Sequence, residues 1–119
     1  MGGRNMPNKL KNILDEYVQG LFKIIGDDLE QIILYGSYAR GEQSNNKEVS
    51  DIDIMILVKT ENNEIKNLER KILDYSYDLD LQYNIVLSPI VENIDTFNSR
   101  TKYIPFYKNV LKEGVLLNG

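Results

Sequence analysis

The stretch IDIMILV at residues 52–58 constrains this chain more than any other. It is too short for an independent helix, and its continuous aliphatic character is that of a strand covered on both faces. Such a strand needs packed layers on either side, which points to an α/β arrangement. Two aspartates, Asp51 and Asp53, stand at its mouth. Alternate strand residues point to the same side, so these two carboxylates project together, with Cα atoms roughly 6–7 Å apart. Two acids that close repel unless a proton or a cation sits between them. An oxygen-seeking divalent ion such as Mg²⁺, which takes carboxylates, water and phosphate oxygens, resolves the conflict. A D-x-D pair alone is a weak signal, because surface acids are common. At the edge of a buried strand it means more, since an acid there is costly without a partner.

The elements around this strand follow from periodicity. Residues 9–25 repeat Leu10, Ile13, Leu14, Tyr17, Val18, Leu21, Phe22 and Ile25 at helical spacing, and Gly26 suits the C-terminal cap. QIILY at 31–35 reads as a second buried strand, ending at Gly36. A brief helix is expected over 37–41, and 42–50 (EQSNNKEVS) reads as a loop. Helical spacing returns over 62–81, with Ile65, Leu68, Ile72, Tyr75 and Leu79 facing inward. NIVLSPIV at 84–91 reads as a third strand, pushed toward a sheet edge by Pro89. A short helix is expected around 94–98. Pro105 then opens a helix closed by Gly114, and VLLN at 115–118 reads as a last strand. The expectation is one α/β (α+β) domain over 9–119, a small mixed sheet flanked by helices. Residues 1–8 are expected to be a disordered or tag-derived leader, with Met6 as the native start.

Composition removes several kinds of chemistry. The chain has no cysteine and no histidine, so disulfides, Cys/His zinc sites, thiol nucleophiles and imidazole bases are excluded. Catalysis must use carboxylates, hydroxyls, lysine, arginine or an oxygen-ligated metal. The net charge of −4 offers no broad basic field for duplex DNA. No apolar run is long enough to cross a bilayer and the polar start carries no secretory signal, so a cytoplasmic location is expected. The tyrosines, among them Tyr35, Tyr75, Tyr77, Tyr83, Tyr103 and Tyr107, read as core or surface residues by default. Tyr38 stands apart because it adjoins the turn at Gly36.

That turn is the second point of interest. Gly36 allows backbone angles and a close ligand approach that a side chain would block. Ser37 adds a hydroxyl and an N–H at the start of the brief helix, and Arg40 offers a forked donor to phosphate oxygens. By itself a Gly-Ser pair is an ordinary strand-to-helix turn with a serine cap. The combination is far more specific. Gly36, Ser37, Ala39, Arg40 and Gly41, a polar loop, then Ser50, Asp51 and Asp53 before an aliphatic strand, resemble the signature of the polymerase beta-like nucleotidyltransferase superfamily, in its minimal nucleotidyltransferase (MNT) type. LSPIV at 87–91 and PFYKNVLKEGVLL at 105–117 look like the C-terminal part of such proteins, so the resemblance covers residues 10–117.

The resemblance implies that Gly36, Ser37, Arg40 and Ser50 bind the phosphates of an NTP, with ATP the expected one. It also implies that Asp51 and Asp53 are the catalytic carboxylates and hold Mg²⁺ or Mn²⁺. A hydroxyl acceptor would attack the α-phosphorus in line and release pyrophosphate, chemistry that depends on positioning and charge neutralisation. The family usually carries a third carboxylate on a neighbouring strand. The position here that aligns best is Asn84, which brings no charge; Asp80 would serve if the strand began earlier, and Asp78 and Asp80 otherwise sit on a solvated helix end. In this family such small proteins often act as the antitoxin of a pair, modifying a tyrosine of a HEPN-type helical toxin. The competing readings are a non-catalytic nucleotide-binding antitoxin with a degenerate metal site, and a homo-oligomeric relative acting on a small molecule.

Overall fold

The computed structural model describes residues 8–41 and 51–119. The strand β2 (Ile52–Val58) has β1 (Leu29–Tyr35) antiparallel on one side and β3 (Leu87–Asn93) parallel on the other. A two-residue β4 (Val115–Leu116) pairs with the far side of β1, so the sheet is mixed and ordered β3-β2-β1-β4. Helix α1 (Asn8–Ile25) precedes β1 through a 3₁₀ turn at Gly26–Asp28. The four-residue α2 (Ser37–Arg40) follows β1, and α3 (Ile65–Tyr83) connects β2 to β3. Helices α4 (Ile94–Arg100) and α5 (Pro105–Glu113) complete the chain before β4.

The parity of β2 divides the molecule. Ile52, Ile54, Ile56 and Val58 point to one face and join the larger core, with Leu10, Leu14, Tyr17 and Leu21 of α1 and Ile72 and Leu79 of α3. Met55 and Leu57 point to the other and meet Ile33, Phe97 of α4 and Val110 of α5 in a smaller core. Because β2 is covered on both sides, its run is apolar rather than alternating. The exception is Asp53, which falls on the face of the smaller core.

On the larger face α1 and α3 approach closely at Gly20, where an added methyl group would collide with the ring of Tyr75. That ring stacks on Tyr17, centroids 5.5 Å apart. The Ser76 hydroxyl donates to the Ile72 carbonyl at 2.8 Å, so the buried Tyr17 hydroxyl is the donor of its 2.7 Å bond to Ser76. Both polar groups are satisfied inside an apolar layer, and burial raises the Tyr17 pKa well above its ordinary value.

Several boundaries differ from the sequence expectation. Phe22, placed in the α1 stripe, is 48% exposed. The first strand begins two residues earlier, at Leu29, and the helix expected at 94–98 runs to Arg100. The third strand starts at Leu87 rather than at 84, because α3 continues to Tyr83 and stops at Asn84, whose left-handed backbone (φ 55°) caps it. The expected leader at 1–8 lies outside the described residues except for Asn8, which opens α1. The expected loop at 42–50 lies outside them too.

As an edge strand, β3 has an outward row of backbone groups that needs protection. Ile52 N–H bonds the Val86 carbonyl at 2.8 Å, which turns Val86 and Ser88 toward β2 and leaves Leu87 and Pro89 facing outward. The Leu87 N–H is taken by the Asp80 carboxylate at 2.8 Å, and Pro89 has none. The first half of the edge therefore has no donor left to offer another strand.

Candidate active site

The C-terminal end of β1 and the N-terminal ends of β2 and β3 meet at one edge of the sheet. Tyr35 lies opposite Asp53, and Asp53 is in register with Ser88. The turn after Tyr35 runs through Gly36 at φ 78°, ψ −155°, a conformation open essentially to glycine. A methyl group at Gly36 would strike the Asp53 carboxylate. The missing side chain thus lets an acid of β2 sit against the backbone of the turn. The next residues wind into α2, closed by the Arg40 N–H on the Gly36 carbonyl at 3.1 Å and anchored by the fully buried Ala39. Gly41 ends it in the left-handed region.

Electrostatics at this edge are unbalanced toward negative charge. The Asp53 pKa is raised, first by burial and next by the neighbouring charge of Asp51, with Arg40 pulling it back down. Tyr35 is pushed up to about 12 by burial, then by the charge of Asp53 and by Tyr107. The Asp80 carboxyl is also raised, by burial first; its bond from Leu87 opposes this, and Asp51 adds to it. Arg40 supplies positive charge, its Nη1 lying 3.2 Å from Glu113 Oε1 at the end of α5. Both side chains are well exposed, so that pair contributes little to stability. A cleft of about 230 Å³ opens beside the turn, between β1, α2 and α5, lined by Tyr35, Gly36, Arg40, Phe106, Asn109, Val110 and Glu113.

The structure brings Gly36, Ser37, Arg40, Asp51 and Asp53 to one edge, as the sequence pattern implied. Ser50 lies outside the described residues. Tyr38 packs against the larger core. Asn84, aligned with a third acid, is an exposed helix cap rather than a strand residue. Asp80 sits in the last turn of α3 with one oxygen committed to Leu87, although it feels the field of Asp51. Among the described residues no group of three acids is disposed to hold a metal ion. The oxygen pair Asp51 and Asp53 does suit a hard divalent cation: the charge of Asp51 raises the cost of charging Asp53, and a cation between them would lower it.

Chain comparison decides the family. A model of the family "Polymerase beta, Nucleotidyltransferase" matches residues 8–119. The chain belongs to this family. It is a nucleotidyltransferase. Putative protein adenylyltransferase MJ0604 of Methanocaldococcus jannaschii is 36% identical over 104 residues, covering 87% of this chain and 93% of its own length. Putative protein adenylyltransferase MJ0141 of the same organism is 39% identical over 81 residues, covering 66% of this chain and 75% of its own length. Among solved structures, a toxin–antitoxin complex with AMP-PNP aligns at TM-score 0.53 and 22% identity, covering 88% of this chain and 73% of that one. A toxin–antitoxin MntA–HpeT mutant aligns at TM-score 0.52 and 18% identity, covering 88% and 72%. At those identities the solved structures establish the fold alone. No helix among the described residues is long and apolar enough to cross a membrane.

The residues that sequence reasoning missed lie on α5. Phe106, Asn109, Val110 and Glu113 are spaced to share one helix face, and that much is visible in the sequence. Which strand the face would cover is not.

Proposed function

We propose that this nucleotidyltransferase moves AMP from ATP to a hydroxyl of a protein partner, a tyrosine of a HEPN-type helical toxin being the acceptor class the family resemblance implies. The observation that carries the reading is the contact at Gly36: the turn and the acid pair occupy one site because the Asp53 carboxylate fills the space a side chain would take. The family match and the names of the Methanocaldococcus relatives support adenylyl transfer. The toxin–antitoxin pairs that share the fold make a protein partner a reasonable acceptor.

In this reading Gly36 and Ser37 present backbone to the phosphates, and Arg40 lends a guanidinium to their oxygens. Asp51 and Asp53 would hold Mg²⁺ or Mn²⁺, which when bound neutralises phosphate charge and favours ionisation of the acceptor hydroxyl. The acceptor oxygen forms a bond to the α-phosphorus as the bond to pyrophosphate breaks. Residues of the turn orient the phosphates, and the acid pair fixes the face from which the acceptor approaches.

A second reading, a nucleotide-binding antitoxin without turnover, is favoured by one observation. The position aligned with the third acid is an uncharged helix cap, and Asp80 is tied to the edge of β3. Incubation with α-³²P-ATP, Mg²⁺ or Mn²⁺ and a helical partner separates the two. The proposal expects label on the partner, lost in Asp51→Ala and Asp53→Ala. Inhibition of the partner that survives both substitutions, with no label transferred, would establish the second reading instead.

A further inference from the structure

The cleft beside the turn has a composition that the phosphate site does not require. Its floor is the turn at Gly36, and one wall is α5. Phe106 stands at 42% exposure, its ring nearly perpendicular to that of Tyr35 with centroids 5.7 Å apart. A large apolar ring left open to solvent next to a phosphate turn offers a face to a flat partner. One helical turn further on, Asn109 is exposed and lines the same space. Its amide carries a donor and an acceptor side by side, the complement of the amino group and ring nitrogen along an adenine edge. At the far end Arg40 and Glu113 close the wall through their 3.2 Å contact.

We infer that this cleft is the nucleoside subsite, with Phe106 stacking on the base and Asn109 selecting adenine. The inference rests on the proposed use of an NTP and names the residues that choose among bases. Continuity with the turn fixes the occupant. Phosphates lying on Gly36 and Arg40 leave the attached nucleoside within reach of the cleft those two residues line. On the edge that carries N7, guanine presents two acceptors where adenine presents a donor and an acceptor, and the pyrimidines have no N7, so an Asn109 amide reading that edge favours adenine. Phe106 contributes to every base, because every base has a π-face. Asn109 therefore acts on specificity and Phe106 on affinity.

The test is calorimetric titration of the full chain with the Mg²⁺ complexes of non-hydrolysable ATP, GTP, CTP and UTP analogues. The wild type is expected to prefer the ATP analogue by on the order of tenfold. Asn109→Leu is expected to abolish that preference while binding of the GTP analogue is kept. Phe106→Ala is expected to weaken all four analogues by a similar factor, and Phe106→Tyr to restore them. Asn109 is exposed, so its substitution leaves the core untouched. ATP-analogue binding with no change of preference in Asn109→Leu would overturn the subsite while leaving the proposed function in place. Failure of the wild type to bind any of the four would overturn both.

Discussion

The two faces of the sheet are built from the same strand by opposite rules. On the α1/α3 face every β2 residue is aliphatic, and the buried Tyr17–Ser76 hydroxyl pair is internally satisfied. On the α4/α5 face the β2 series opens with Asp53, and the smaller core begins only at Met55. Beyond it the polar groups form an open network: Glu92 accepts from the Tyr107 hydroxyl at 2.7 Å and pairs with Arg100 at 3.3 Å. One face holds the molecule together and the other is left unfinished at its edge, where the candidate site lies. The difference teaches that parity chooses the face of a β2 side chain, and that on the α4/α5 face position along the strand then separates the acid at the mouth from the core beyond it.

The largest effect is expected from breaking the α1/α3 face. Ile54→Ala removes a fully buried side chain from the larger core and is expected to cost about 2–5 kcal/mol, read as a lowered midpoint in urea. Nucleotide affinity per folded molecule should be unchanged at low temperature. A loss of affinity with stability intact would show that the faces are not separable.

Gly36→Ala probes the seam between them. The substituted residue would hold a backbone conformation costing about 1–3 kcal/mol and push against Asp53. Nucleotide affinity and stability should fall together. Gly41→Ala, also at positive φ but with open space around it, should cost stability with a smaller effect on affinity.

The smallest change expected is a gain. The raised Asp53 pKa means that its charged form is less welcome in the folded chain than in the unfolded one. Stability from this group is fully present below its ordinary value of 3.8 and is lost as pH rises through the raised folded value. Asp53→Asn removes that loss. Thermal scans should show the variant more stable than the wild type at pH 7, with the gap closing as pH falls below about 4, while nucleotidyl transfer is lost. Equal pH dependence in the two proteins would mean that Asp53 is not strained by its surroundings.

The legible parts of the molecule were those set by local pattern. IDIMILV announced a central strand, the stripe from Leu10 to Leu21 announced α1, and Pro105 and Gly114 bracketed α5. Gly36, Arg40 and the acid pair were readable only in combination, through the family resemblance that their order carries, since each alone has an ordinary structural explanation. The α3–β3 junction was not readable, since YNIVL supports either a longer helix or an earlier strand. Asn84 decided it by adopting the left-handed region, a tertiary choice with no strong local signal. The role of Asp80 followed from that choice: once β3 begins at Leu87, the carboxylate in the last turn of α3 is the group that reaches its N–H. The α5 wall of the cleft was hidden for a similar reason. Helical spacing groups Phe106, Asn109 and Glu113, but only the pairing of Val115 with Leu34 brings that helix alongside β1.

The most direct test of the central claim is uptake of Mn²⁺ in the presence of a non-hydrolysable ATP analogue, followed by the loss of the free-ion EPR signal. Uptake that requires the nucleotide, and that disappears in both Asp51→Ala and Asp53→Ala, is the result this account predicts. Uptake unchanged in either variant would contradict it, because the acid pair and the glycine turn would then not form one site.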